Sequence, residues 1–357
     1  MVHLMTPKVM IILGSASDKK IAEKAIDILE TLKIPYSLKV ASAHRTHEKV
    51  KKLVIEGTKQ GVEVFIGIAG LSAHLQGVIA SYTYKPVVGV PVDVKVSGLD
   101  ALYASAQMPF PIPVASVGID RGENAGILAG QIIATLNEKV KNNITKLRKS
   151  YHKKVKEDEE KLINSLNEQY LNKDFLKNLS SEYEAKGENK ENDSNTESKN
   201  KKTPLVSVIA GSNTDIEIAK KTCEVLDELN ISYDMNILSP VRHPDKFQEY
   251  IESMKDVKLF LAVSGLSAHV TGAIVALSEK PVIGVPCYNQ LNRMNSLLAM
   301  INMPPGVPVG TVGVDNGENA GILAGKILGI SNKEIESNLK RLKQKNWWLK
   351  IKNSNSI

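Results

Sequence analysis

Residues Gly118–Gly130 read Gly-Ile-Asp-Arg-Gly-Glu-Asn-Ala-Gly-Ile-Leu-Ala-Gly, and residues Gly313–Gly325 read Gly-Val-Asp-Asn-Gly-Glu-Asn-Ala-Gly-Ile-Leu-Ala-Gly, identical at 11 of 13 positions. Working outward, Gly70-Leu-Ser-Ala-His74 returns as Gly265-Leu-Ser-Ala-His269, Gly89-Val-Pro91 as Gly284-Val-Pro286, and Gly14-Ser15 as Gly211-Ser212, in the same order. Solenoid units run about 20–50 residues, so a period near 195 marks a duplicated domain. The expected organisation is a first copy over 1–136, a connector over 137–203, a second copy over 204–331 and a C-terminal segment over 332–357.

Within the first copy, five apolar, β-branched runs (Val9–Leu13, Leu38–Ala41, Val64–Ile68, Val87–Val90 and Val114–Val117) alternate with helical patterns. After the first run, Ile21, Ala25, Ile26, Leu29 and Leu32 share one helical face. Runs apolar on both faces and joined by helices predict an α/β fold, a parallel sheet covered on both sides in a three-layer α/β/α sandwich. Ligands bind such sheets at the carboxyl ends of the strands, so the loops just after each strand carry the functional information.

The 357 residues suffice for two cores, and 42% apolar with 24% charged residues is ordinary for a globular chain. No run of about 18 apolar residues argues for a membrane span. The N-terminus shows no secretory pattern, which makes the cytoplasm the expected compartment. Cys223 and Cys287 form neither a disulfide framework nor a zinc site and read as small buried hydrophobes. The net charge of +7 falls on the connector (16 basic against 13 acidic) and on 332–357 (7 against 2), while 204–331 is acidic (9 against 13). A nucleic-acid groove would place it in a folded lobe, so nucleic acid is not an expected partner. The connector is Lys/Glu/Leu-rich and helical to about Glu182; Glu184–Lys202 then has one apolar residue, Ala185, and is expected to be flexible. Lys333–Lys352 reads as a basic amphipathic helix whose Trp347-Trp348 pair docks on protein rather than on a membrane.

Three loops carry the chemistry. Gly-Ser-Ala-Ser-Asp (14–18) opens a helix, where free N–H groups and hydroxyls suit a phosphate and a carboxylate suits ribose hydroxyls; Ser17 or Asp18 could equally be a plain N-cap. The loop is neither a P-loop nor G-x-G-x-x-G. Ser-Ala-His-Arg-Thr-His-Glu (42–48) offers Arg45 for a phosphate and His44 for titration near neutrality. His44 and His47 lack a third ligand nearby, so no metal is expected. Ala-Gly-Leu-Ser-Ala-His-Leu (69–75) is superficially similar to a nucleophile elbow but lacks its last glycine and a spaced acid; its small residues suit a tight pocket for carboxylate or carbon dioxide.

In order and spacing these loops, with Gly-Val-Pro (89–91) and Gln-Met-Pro (107–109), resemble the purine-biosynthetic PurE family, the 5-(carboxyamino)imidazole ribonucleotide mutases and phosphoribosylaminoimidazole carboxylases. The resemblance spans residues 8–136 and, degraded, 204–331. It implies a flavodoxin-like fold, no cofactor, and transfer of a carboxyl group from the exocyclic nitrogen to ring carbon 4 of a ribonucleotide. It also implies that Ser15, Ser17, Asp18, Ser42 and Arg45 hold phosphate and ribose, that His44 is the general acid/base, and that Ala69, Gly70, Ser72, Ala73, His74 and Leu75 wall the carbon dioxide pocket. His47 stands where the family usually has proline, and Leu71-Ser72 where it has Gly-Ala. A sister branch carboxylates aminoimidazole ribonucleotide directly and typically reads Ser-Ala-His-Lys; Arg45 and Ala73-His74-Leu75 place this chain nearer the mutases. Direct carboxylation and a non-catalytic ribonucleotide-binding module are the competing readings.

In the second copy Ser212, Asp215, Ser239, Arg242 and His269 match, so a phosphate site could persist, but Val241 occupies the His44 position and cannot move a proton. His243, two residues on, is expected to face away. Since the resembled family forms octamers of single domains, four such chains are expected to make a homotetramer of eight lobes, with the small-residue helices Glu123–Gly130 and Glu318–Gly325 suited to contacts between subunits.

Overall fold

A computed structural model describes residues 6–166, 204–288 and 294–354, with side chains to residue 345. The first copy forms β1 (Val9–Leu13), β2 (Tyr36–Val40), β3 (Val64–Gly70), β4 (Val87–Val92) and β5 (Ala115–Ser116), all parallel in the order β2-β1-β3-β4-β5. The second repeats this with β6 (Val206–Ala210), β7 (Tyr233–Ile237), β8 (Leu259–Ser264), β9 (Val282–Pro286) and β10 (Gly310–Thr311). Every residue of β1, β4, β6, β8 and β9 is buried, as sheets with both faces covered require. The helix Lys19–Thr31 turns Ala22, Ala25, Ile28 and Leu29 inward.

Two sheets were expected; the structure has one. β5 pairs antiparallel with β10, Ser116 opposite Thr311, so ten strands run β2-β1-β3-β4-β5-β10-β9-β8-β6-β7. A two-residue last strand leaves an open edge in either lobe alone, and pairing removes both edges at once. The repeated Gly-Glu-Asn-Ala-Gly segment secures the junction reciprocally. Asn124 donates to the carbonyls of Met303 (3.3 Å) and Pro304 (3.0 Å) and accepts from the Gly306 N–H (2.9 Å); Asn319 donates to the carbonyls of Met108 (2.9 Å) and Pro109 (3.4 Å). Each lobe's Asn thus holds the other lobe's Met-Pro loop.

The small-residue stripes do not face outward as expected. In helix Gly122–Ala134 a methyl group on Gly122 would collide with the Ile21 carbonyl, and one on Gly126 would lie 2.8 Å from the Ala25 carbonyl; Gly317 and Gly321 stand likewise against Ile218 and Val225. These glycines seat each helix on the first helix of its own lobe.

Residues Met1–Leu147 and Thr203–Ile357 form one compact unit, and Arg148–Lys202 a second, helical over its described part to Ser165. The expected flexible stretch Glu184–Lys202 and the side chains of Trp347 and Trp348 lie outside the described residues. The C-terminal helix is present, Lys333–Ser354, with Ile335, Leu339 and Leu342 buried. Cys223 and Cys287 are buried free thiols. No described helix is long and apolar enough to cross a membrane.

Candidate active site

At the carboxyl ends of β1, β2 and β3 the three loops enclose a 430 Å³ cleft. Ser15, Ser17, Asp18, Ser42, His44, Arg45, Ala69, Gly70, Ser72, Ala73, His74 and Leu75 all line it. Gly14, Ala43, Leu71 and Val94 line it too; Val94 comes from the loop after β4 and lies over Gly70.

In the first loop the capping role falls to Ser15, whose Oγ accepts the Ser17 N–H at 3.3 Å. Asp18 caps nothing: its carboxylate accepts the Ser17 hydroxyl at 2.9 Å and is buried beneath the cleft, which raises its pKa above the usual carboxylate range. The second loop is a closed turn, with the Thr46 N–H donating to the Ser42 carbonyl (2.9 Å), the Ser42 N–H to the Thr46 hydroxyl (2.9 Å) and the Arg45 N–H to the Ser42 hydroxyl (3.2 Å). That turn presents His44 and Arg45 side by side into the cleft, with the Arg45 guanidinium in no ion pair among the described residues.

The third loop holds Leu71 (φ 55°) and Ala73 (φ 37°) in the left-handed region, which costs a residue with a Cβ about 1–2 kcal/mol. The strained turn carries His74 to the start of helix Leu75–Tyr82, where its Nδ1 lies 3.0 Å from Nε2 of His44, the rings edge to face. One ring donates and the other accepts, so the tautomer of each is tied to that of its partner. At the other end of the same helix His47 Nε2 lies 2.9 Å from the Tyr82 hydroxyl. Neither pairing was legible in the sequence, where the partners lie 30 and 35 residues apart.

The second lobe keeps half of this construction. Its cleft, 370 Å³, is lined by Gly211, Ser212, Asn213, Thr214, Ile237, Leu238, Ser239, Arg242 and His243. Contrary to expectation, His243 belongs to the wall. Asp215 is buried behind it, accepting the Ser212 hydroxyl at 2.8 Å, and His269 is not part of it. Val241 is 68% exposed and its side chain has no polar atom with which to reach His269, so the His44–His74 pairing has no counterpart there among the described residues.

A family model described as AIR carboxylase matches residues 8–154 and, separately, 205–347. The probable N5-carboxyaminoimidazole ribonucleotide mutase of Methanothermobacter thermautotrophicus is 57% identical over 341 residues, 96% of this chain and 99% of the relative. The N5-carboxyaminoimidazole ribonucleotide mutase of Methanocaldococcus jannaschii, a relative of single-lobe length, is 53% identical over 154 residues, 43% of this chain and 96% of its own. The crystal structure of Treponema denticola PurE has 31% sequence identity and a TM-score of 0.41, covering 44% of this chain and 98% of that one.

Proposed function

The chain belongs to the AIR carboxylase family, and from that premise we propose that its first lobe performs the N5-carboxyaminoimidazole ribonucleotide mutase reaction of purine biosynthesis with His44 as the proton-transfer group. The N–CO₂ bond breaks, its electron pair stays on the exocyclic nitrogen, and His44 supplies the proton that nitrogen takes. The carbon dioxide remains in the pocket walled by Ala69–Leu75, ring carbon 4 attacks it, and His44 recovers the carbon-4 proton. The reaction is an isomerisation that balances without a cofactor. A group that gives a proton and then takes one back works best with a pKa near the working pH, which an imidazole supplies. His74 positions the His44 ring and gives its Nε2 a partner between steps. Arg45, with Ser15, Ser17 and Ser42, binds the phosphate, and buried Asp18 the ribose.

The observation that carries this reading is the 3.0 Å His44–His74 bond between the phosphate-type loop and the small-residue loop of one cleft. His44→Asn tests it: turnover should fall by at least about 10²–10⁴, as loss of an acid/base group does, while substrate binding stays nearly intact. Retention of more than about a tenth of the activity sinks the assignment. Assays with the carboxyamino substrate, and with aminoimidazole ribonucleotide plus bicarbonate, separate the mutase from a direct carboxylase; faster turnover of the second pair would favour the carboxylase.

We also propose that four chains assemble into a closed tetramer of eight lobes. Light scattering of the full chain should give a mass about four times the 39.0 kDa protomer. A monomer or dimer retaining full activity would refute the assembly.

A further inference from the structure

We propose that the second lobe is a binding site for the 5-phosphoribosyl group, holding phosphorylated ribose without transforming what is attached to it. The Ser212 loop after β6 and the Ser239–Arg242 turn after β7 stand at the positions of the Ser15 and Ser42–Arg45 loops of the first lobe. The turn keeps two of the three bonds of its counterpart, the His243 N–H donating to the Ser239 carbonyl (3.0 Å) and the Arg242 N–H to the Ser239 hydroxyl (3.3 Å), while the bond made by the Thr46 hydroxyl is lost with His243 at that position. Arg242 therefore presents its guanidinium to the cleft as Arg45 does, and among the described residues it pairs with no carboxylate. His243 adds an imidazole to that wall, and Asp215 is buried in the place of Asp18.

What is missing is as specific as what remains. In the first lobe the third loop is a wall of the cleft, tied to the second loop through His44 and His74; in the second lobe Val241 makes no such tie and residues 265–269 do not line the cavity. The third loop keeps its sequence and its left-handed residues, Leu266 (φ 53°) and Ala268 (φ 50°), so what the second lobe lacks is the imidazole pair that joins the second and third loops in the first. At the His44 position Val241 has no proton to give or take, and His243 stands at the position of Thr46 instead. The site thus reads only what substrate, product and other 5′-phosphoribosyl compounds share, which gives the chain a second occupancy that turnover does not consume.

The full-length chain titrated with ribose 5-phosphate and followed by ³¹P NMR should take two ligands per chain. Arg242→Ala and Arg45→Ala should each leave one, and the double variant none. Arg242 is exposed, so its truncation leaves the fold intact; Ser239→Gly provides a second perturbation of the same turn and should weaken the same site. One ligand per wild-type chain, unaffected by Arg242→Ala and abolished by Arg45→Ala, would overturn the proposal and leave the first-lobe reading standing. One ligand abolished by Arg242→Ala and untouched by Arg45→Ala would uphold it and fail the first-lobe phosphate assignment instead.

Discussion

His44 is aimed from both ends of one short helix. The turn Ser42–Thr46 and the residue after it grip helix Leu75–Tyr82 at its start through His44–His74 (3.0 Å) and at its end through His47–Tyr82 (2.9 Å), with the Lys51 ammonium 6.0 Å from the Tyr82 ring. The second lobe has Pro244 at the position of His47, so in the first lobe a hydrogen bond stands in place of ring stiffness in holding the turn. The bond is exposed and worth only about 1 kcal/mol to folding. With His44 as the proposed proton-transfer group its effect on alignment is larger, because a small misplacement of such a group costs up to about 10²-fold in rate. Tyr82→Phe should therefore lower kcat roughly tenfold with little change in KM and shift the pH profile of kcat, while thermal unfolding moves by only a few degrees. Steady-state kinetics across pH checks this; an unchanged kcat would mean that His74 alone aims His44.

At the scale of elements, the glycines of the duplicated motif are seats for a neighbouring backbone. Gly122→Ala would push a methyl group into the Ile21 carbonyl, which belongs to the helix that follows the first cleft loop. Backbone cannot step aside as a flexible side chain can, so the expected cost is at least about 1–3 kcal/mol, the range for overpacking. Gly272 provides the contrast: it lies inside helix His269–Leu277 with nothing within 4 Å of an added Cβ. Gly272→Ala should stabilise by about 0.5–1 kcal/mol, chiefly by restricting the unfolded chain. Urea unfolding of the pair measures both signs, and a neutral Gly122→Ala would show that the two helices are not in contact in solution.

In the whole molecule, the lobes meet through charge as well as through the joined sheet. Lys326, from the repeated motif of the second lobe, donates to the Thr83 carbonyl at 3.3 Å, and Lys343 of the C-terminal helix to the Ser81 carbonyl at 2.8 Å. Both carbonyls end the helix that begins at His74, where a cation is favoured by the helix dipole. Even so, burial lowers the Lys326 pKa to about 7, with the nearby Lys343 charge adding to the effect. The first lobe has the neutral Gln131 at this position. Because the unfolded chain holds the Lys326 proton up to about pH 10.4, it binds more protons than the folded chain between about 7 and 10. The burial cost is thus full below about pH 7 and declines as the pH rises, by at most about 1.4 kcal/mol per pH unit. Lys326→Gln should raise the melting temperature more at pH 6 than at pH 9. A difference independent of pH would place the lysine charge in water instead.

Strand runs, helix faces and the loop motifs were legible in the sequence because each is a local pattern: apolar runs, i to i+4 spacing, and short loops at strand ends. From those, the duplication, the parallel α/β lobes and the three loops of the first cleft followed, but not Val94, which the loop after β4 lays over Gly70. Strand ends shifted by one or two residues, as β3 reaching Gly70 shows, since hydrogen bonding extends past the apolar run. Only the tertiary structure decided that β5 and β10 join two sheets into one, since an edge's partner is chosen by what is near in space. The same holds for the inward glycine stripes, for His243 lining the second cleft, and for His44 meeting His74. Each depends on the rotation of one packed element against another, a geometry that no periodicity along the chain encodes.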